Sequence, residues 1–265
     1  MKFSFSTLGC PDWTWGEILS AAKDIGYNGI ELRGILEDIF MPKLHIFTKD
    51  YIGKTVEQLK GYGIEVACIA TECYLHRNDK DYLAMTRDYI ELAKSLNCKY
   101  IRVLGDTDPQ PGRSVDKELV LQRLQRLAPV AEQAGVCMLV ETNGVFANTA
   151  DLKALIEKVN SPSVQVLWDI NHPIRNFGED VQTTYANIGK YVRHVHVKDS
   201  VMEDEKLTIK MLGYGNLPIG QCMEILRDNG YAGYISLEWT KRWNQELEDP
   251  AIVFEHFLNT IKRYV

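Results

Sequence analysis

Hydrophobic and polar positions along the chain follow two alternating patterns. Short apolar runs rich in β-branched residues indicate buried strands, and longer stretches with apolar residues three and four positions apart indicate amphipathic helices. Strands are predicted at residues 2–7, 29–33, 64–71, 100–104, 136–141, 164–169, 192–197 and 233–238. Helical spacing is clearest at residues 15–25 and 83–96, which lie between predicted strands.

Eight strand–helix units in series predict an α/β protein with a closed parallel barrel, the (β/α)8 TIM-barrel fold. An open doubly wound sheet is the main alternative, and it would place its site at a switch point of the strand order. The chain has no GxGxxG after its first strand, so a dinucleotide-binding fold is disfavoured. No linker or change of composition divides the chain, and we expect one domain over residues 1–265.

Charge and cysteine content narrow the classes of partner. The formal net charge of −6 argues against a nucleic-acid partner and against an anionic membrane surface. Six widely spaced cysteines without a CxxC pair favour a reduced, cytoplasmic protein over a disulfide scaffold. The start of the chain lacks the apolar segment of a signal peptide, and no run approaches transmembrane length.

Polar residues stand where four consecutive predicted strands end. We call them the rim cluster: Glu141, Asp169, His196 and Glu238. Neighbouring parallel strands lie about 4.8 Å apart, so these side chains can converge on one point of the barrel rim. Three carboxylates so close would repel one another unless a cation lay between them. The residue types suit one divalent ion such as Mn²⁺, Mg²⁺ or Co²⁺, and Zn²⁺ is admitted as well.

Each of these residues also has an ordinary structural interpretation. A single acid at a strand end is usually a solvated loop residue, and a lone histidine in an apolar strand is usually a core residue. Period-two alternation places His194, His196 and Lys198 on the interior face of strand seven. His194 lies deeper, and we interpret it as support for His196. Trp13 and Trp15 follow strand one and are candidate aromatic contacts for a sugar, although a tryptophan at a helix start is at least as often a packing residue.

Motifs along nearly the whole chain resemble those of the xylose-isomerase-like TIM-barrel superfamily, the sugar phosphate isomerase/epimerase family. They are "TLGCPDW", "GYNGIELR", "VETNG", "WDINHP", "HVHVKDS" and "ISLEW". The resemblance implies that the rim cluster holds one metal ion, often Mn²⁺. It also implies that His172, in an Asp-x-x-His pattern, lies near substrate oxygens and that Lys198 can act as a cationic substrate contact. An exposed loop cation is the alternative interpretation of Lys198. Family members are commonly dimers or tetramers, so the resemblance also admits a homo-oligomer.

The resemblance implies a metal-dependent isomerase or epimerase that acts on a small sugar or cyclitol through an enediolate. Glu141 and Glu238 would form the acid/base pair, one removing the proton and the other returning it. A dehydratase of the inosose dehydratase type, or a keto-glycoside eliminase, shares that intermediate and is the alternative. A third hypothesis is a barrel that binds a carbohydrate without catalysis.

The chain departs from the sequence patterns of two related groups of enzymes, and both departures narrow its expected function. Endonuclease IV adds histidines at the ends of strands three and four and an Asp-x-His after strand seven. The predicted strands of this chain end without such histidines and no Asp-x-His follows strand seven, so DNA repair is disfavoured. Ketose 3-epimerases carry an arginine where this chain has Met202, which counts against a simple ketohexose epimerase.

Overall fold

Eight parallel strands close into a barrel in which each strand pairs with the next barrel strand along the chain and the last with the first, so the predicted (β/α)8 fold is confirmed. The structure is a computed structural model that describes residues 1–77, 81–112, 114–204 and 206–265. The barrel strands are β1 Lys2–Ser6, β2 Gly29–Leu32, β3 Glu65–Tyr74, β4 Tyr100–Leu104, β5 Cys137–Glu141, β6 Val164–Asp169, β7 Val192–Val197 and β10 Tyr234–Leu237.

Helices surround the barrel. They are α1 Trp15–Ile25, α2 Ile52–Tyr62, α3 Tyr82–Ser95, α4 Lys117–Ala134, α5 Thr149–Val159, α6 Asn171–Phe177, α7 Val181–Ile188, α8 Ile219–Asp228 and α9 Pro250–Ile261. Local sequence explains their ends, as α1 shows. Thr14 and Glu17 form a reciprocal capping box at its start. Gly26 ends it in the left-handed conformation, at φ 94°, which glycine adopts without steric cost.

Strand side chains divide between two hydrophobic layers, as period-two alternation predicts. Val195 and Val197 of β7 belong to the large core between the strands and the helices. A smaller cluster fills the barrel interior and includes Leu139 and Leu167. Leu139 is separated by two positions from Glu141, and Leu167 by two positions from Asp169, so each acid lies on the same face one layer higher.

A β-hairpin that the sequence analysis did not predict follows β7. Its strands are β8 Asp199–Glu203 and β9 Lys206–Lys210, and they pair antiparallel. The glycine-rich stretch after it is a turn fixed by Asp199, whose carboxylate accepts hydrogen bonds from the backbone N–H groups of Gly213 (2.9 Å), Gly215 (3.0 Å) and Leu217 (3.2 Å). A Cβ at position 215 would lie 2.0 Å from Asp199 Oδ1, so only glycine fits there. In the described part of the chain, no helix is both long enough and apolar enough to cross a membrane.

Candidate functional site

The rim cluster forms one buried group of side chains. Glu141 and Asp169 are the last residues of β5 and β6, and Glu238 directly follows β10. Asp169 lies opposite His196 in the register of β6 and β7. The four candidate ligand atoms all lie within 4.8 Å of one another, and all four residues are buried. The fold therefore brings together the residues expected as metal ligands.

His196 turns one ring nitrogen toward the acids and the other away from them. Nδ1 lies 3.6 Å from Glu141 Oε1, 3.9 Å from Asp169 Oδ2 and 3.4 Å from Glu238 Oε1. This buried nitrogen has no hydrogen-bond partner in the described part of the chain. Buried polar atoms are nearly always paired, and an unpaired imidazole nitrogen facing three carboxylates is a donor set that suits a divalent cation. The residues present therefore fit the metal that the sequence predicts.

Glu31 orients this imidazole, a role that the sequence analysis did not assign. His196 Nε2 donates to Glu31 Oε2 at 2.9 Å, and His194 Nε2 donates to the same oxygen at 2.6 Å. Burial would raise the pKa of the Glu31 carboxyl, but His196 and His194 lower it below its ordinary value. A proton held on His196 Nε2 leaves the Nδ1 lone pair free for a ligand. His194 thus supports His196 through Glu31, and the two rings also meet edge to face with their centroids 5.5 Å apart. The signal for Glu31 was an acid within the apolar "GIELR" run.

Arg102 is a second residue that sequence reasoning missed. From β4, its Nη1 donates to Glu141 Oε2 at 2.8 Å and lies 4.0 Å from Glu238 Oε1. Its Nη2 donates to the carbonyl oxygen of Thr71 at 3.0 Å. Burial would raise the pKa of Glu141, but Arg102 and then His196 lower it well below its ordinary value. Arg102 therefore keeps Glu141 ionised, which is the form that a general base or a metal ligand needs.

Lys198 continues the interior face of β7 outward, as predicted. It is only 4% exposed, so its interpretation as an exposed loop cation is wrong. Its ammonium forms ion pairs with Asp169 and Glu238. Burial would lower the pKa of Lys198, but Asp169 and Glu238 raise it above its ordinary value. Lys198 is therefore a charged group at the cavity wall, in contact with two acids of the rim cluster.

His172 presents one nitrogen to the cavity. Its Nδ1 donates to the carbonyl oxygen of Thr142 at 2.9 Å, which leaves Nε2 as an acceptor. Nε2 lies 3.9 Å from Asp169 Oδ2, and the side chain lines the cavity. This orientation suits acceptance of a hydrogen bond from a substrate hydroxyl, the role that the resemblance implies for it.

A cavity of about 420 Å³ lies over the rim cluster. Glu141 and Glu238 line it, together with His172 and Lys198. Leu207 and Ile209 of the hairpin complete one wall, and Arg33, Tyr74 and Trp243 line it as well. Of the two interpretations of Trp13 and Trp15, the structure supports packing, because Trp13 packs against Phe254 and Trp15 against Phe47. Trp243, in the loop after β10, faces the cavity instead.

Comparison with known proteins places this barrel in a family. A profile of the xylose isomerase-like TIM barrel family matches residues 19–256. The chain belongs to this family. Within the wider set of relatives, the fructoselysine 3-epimerase of Escherichia coli O157:H7 is 25% identical over 246 residues, which cover 85% of each chain.

Solved structures share the fold of the whole chain. The probable 3-DHS dehydratase involved in petrobactin synthesis from Bacillus anthracis superposes with a TM-score of 0.81 at 17% identity, over 99% of both chains. The 3-keto-D-glucoside 4-epimerase from Escherichia coli superposes with a TM-score of 0.77 at 20% identity, also over 99% of both chains. The proteins to which this chain is similar thus include two epimerases and a probable dehydratase.

Proposed function

We propose that this protein is a divalent-metal-dependent epimerase or isomerase of a sugar or a sugar-like polyol. The observation that carries the proposal is the rim cluster itself: three carboxylates surround an unpaired buried imidazole nitrogen beside a cavity of about 420 Å³. The similarity to fructoselysine 3-epimerase and to a 3-keto-glucoside 4-epimerase supports the same substrate class.

The rim cluster would hold one metal ion, which we expect to be Mn²⁺, with Mg²⁺, Co²⁺ and Zn²⁺ as alternatives. A bound divalent ion supplies Lewis-acid polarisation of a substrate carbonyl and so acidifies the neighbouring C–H bond.

In this proposal, Glu141 and Glu238 move the proton on and off that carbon. Glu141 ends β5 and Glu238 directly follows β10, the outer strands of the arc β5–β6–β7–β10, so their carboxyl groups would approach a bound carbon from different sides. One glutamate removes the proton to give an enediolate, and the other returns a proton. Return to the opposite face of the same carbon gives an epimer, and return to the adjacent carbon gives an isomer. His172 accepts from a substrate hydroxyl, and Lys198 donates to a substrate oxygen.

Dehydration is the second candidate reaction, and Lys198 is the observation that favours it. Its buried ammonium faces the cavity beside Glu238 and can protonate a hydroxyl that leaves from the carbon next to the enediolate. The resemblance in fold to a probable dehydratase agrees with this alternative.

Solvent-deuterium exchange tests the proposed function. Protein loaded with Mn²⁺ is incubated in D₂O with a panel of ketoses, inososes and keto-glycosides, and incorporation into the substrate is measured by mass spectrometry. We expect exchange in the wild type and its loss in Glu141→Gln and in Glu238→Gln. Glu91→Gln, on the exposed surface of α3, is the matched control and should exchange like the wild type. Full exchange in both cluster variants would show that this pair does not carry the chemistry.

Two further expectations remain proposals. All six cysteines are free and buried, which supports a protein that works in a reducing compartment such as the cytoplasm. A homo-oligomer is proposed from the resemblance alone, and sedimentation of the purified protein would test it.

A further inference from the structure

A side cavity adjoins the main one and is not used by the reaction proposed above. Its volume is about 340 Å³, and Arg33, Tyr74 and Trp243 line both cavities. A water molecule takes up roughly 30 Å³ in the liquid, so the side cavity has room for a substituent of several heavy atoms. A sugar held over the rim cluster can therefore extend a substituent past these three residues.

Arg33 is the residue with unused binding capacity at this junction. Its side chain is 7% exposed, and Nη1 is a buried atom with no hydrogen-bond partner in the described ranges of the chain. Among the described residues, Arg33 forms an ion pair with Glu72 only. Glu72 Oε2 lies 3.7 Å from Arg33 Nη1, which is too far for a hydrogen bond. That same oxygen already accepts a hydrogen bond of 2.7 Å from the hydroxyl of Tyr89. A buried guanidinium with a free N–H group is costly unless a further acceptor meets it.

The charges of the side cavity favour an anion as that acceptor. Of its described lining residues, Arg33 and Arg77 are cationic and Glu72 is acidic, which leaves one positive charge in excess. Burial, and then the positive charge of Arg102, lower the pKa of the Arg33 guanidinium, so an added negative charge would relieve an unfavourable environment. Guanidinium presents its N–H donors as a planar fork that matches a carboxylate or a phosphate.

The aromatic side chains fit the approach to such a group. The Trp243 ring lies 5.8 Å from Arg33 Cζ, and the Tyr74 ring is covered by Arg77 at 3.9 Å. Ile39 and Met85 add apolar surface to the side cavity. A ligand that passes from the main cavity into the side cavity therefore passes Tyr74, Trp243 and the guanidinium of Arg33 together.

We propose that the side cavity is a subsite for an anionic group, a carboxylate or a phosphate, which the sugar substrate carries on a substituent and which Arg33 binds. This inference rests on the proposed function, since it assigns a substrate class to the same site. It makes Arg33 the residue that selects acidic sugar derivatives over neutral ones.

Calorimetric titration of the Mn²⁺-loaded protein tests the subsite with two pairs of ketoses. One pair is 1-deoxy-1-(carboxymethylamino)-D-fructose and its methyl ester, and the other is D-fructose 6-phosphate and D-fructose. We expect wild-type protein to bind at least one anionic ligand about tenfold more tightly than its neutral partner, as a charge-assisted hydrogen bond allows. The pair that shows the preference identifies carboxylate or phosphate as the group bound.

Arg33→Met should bring that preference to within twofold, chiefly by weakening the binding of the anionic ligand. Arg126→Met, an exposed position on α4, is the matched control and should keep the full preference. If Arg33→Met does not fold, Arg33→Lys replaces it, and a loss of preference of threefold or more supports the proposal. A wild type without any preference, or a preference that survives the change at Arg33, overturns it. The deuterium exchange assay is independent of this result, so an active enzyme without charge preference would refute the subsite and leave the proposed reaction standing.

Discussion

Replacement of Glu31 by glutamine is the perturbation that best isolates how the candidate metal centre is organised. Glu31 is fully buried and accepts hydrogen bonds from both His194 and His196. In glutamine one of the two oxygens is replaced by an NH₂ donor. His196 Nε2 lies 3.0 Å from Glu31 Oε1 and 2.9 Å from Oε2, so that NH₂ group faces His196 in either orientation of the amide. When its NH₂ group faces His196, Nε2 must be the acceptor and the proton moves to Nδ1, which is the nitrogen turned toward the acids.

The magnitude follows from the contact that is lost. A hydrogen bond to a charged group contributes about 1.5–3 kcal/mol, which corresponds to roughly a 10- to 100-fold change in affinity. Loss of a residue that orients a metal-ligating histidine changes metal affinity by about the same factor. We therefore expect the Mn²⁺ dissociation constant of Glu31→Gln to rise by about 10- to 100-fold.

Calorimetric titration with Mn²⁺ at constant pH provides the measurement, and circular dichroism verifies that the variant is folded. In the Zn²⁺-loaded protein, which is diamagnetic, ¹⁵N chemical shifts of labelled histidine report the tautomer of His196 directly and should show the proton on Nε2 in the wild type. Glu91→Gln is the control for the same substitution at an exposed site and should bind Mn²⁺ like the wild type. A folded Glu31→Gln protein whose Mn²⁺ affinity stays within twofold of the wild type would refute this role for Glu31.

Two further predictions concern residues that are not themselves expected to be metal ligands. Gly215→Ala should lower the free energy of unfolding by about 1–3 kcal/mol in urea titrations, because its Cβ would lie 2.0 Å from Asp199 Oδ1. Gly16→Ala on α1 is the control, since a Cβ there meets open space and the change should be neutral or stabilising. Equal effects at both glycines would contradict the account of this turn. Lys198→Met should tighten Mn²⁺ binding, because it removes a cation that contacts Asp169 and Glu238. It should also slow deuterium exchange about 100-fold or more, because the proposed donor to a substrate oxygen is lost. Weaker Mn²⁺ binding would contradict the interpretation of Lys198 as a charge that competes with the metal.

Sequence periodicity predicted the rim cluster because strand ends are local features. The side chain of Glu141 lies on the same face as Leu139, and that of Asp169 on the same face as Leu167, so the two-residue repeat of a strand was enough to aim both acids at one rim. The order of strands around a (β/α)8 barrel follows the chain, and neighbours in sequence therefore became neighbours in space.

Contacts between distant parts of the chain were not predictable in the same way. Glu31 meets His194 across 163 residues, and nothing in a single strand marks which interior polar residue it will face. Arg102 lies in a short and otherwise apolar strand, and the sequence analysis did not assign it to the site, although a buried arginine requires an acid nearby. The hairpin of β8 and β9 was missed because β8 directly follows β7, and its exposed residues, such as Met202 at 47%, lack the pattern of a buried strand.

The departure at Met202 is also clearer in three dimensions. Met202 is on β8 and exposed, so the cationic contact that an arginine would make from this segment is absent at that position. Two guanidinium groups reach the cavity from other strands instead, Arg102 from β4 and Arg33 from the end of β2. The cavity thus has its own distribution of positive charge, which is consistent with a substrate that differs from a simple ketohexose.

Equilibrium binding of a divalent metal tests the central claim most directly. Metal-free protein is titrated with Mn²⁺, and with Mg²⁺, Co²⁺ and Zn²⁺ in parallel, for the wild type and for Asp169→Asn. Asp169 is a buried member of the rim cluster whose loss removes one carboxylate ligand. The account predicts one ion per wild-type chain and an affinity about 100-fold weaker or more in Asp169→Asn. A folded wild type that binds none of the four ions, or an Asp169→Asn variant that binds them equally well, would contradict it.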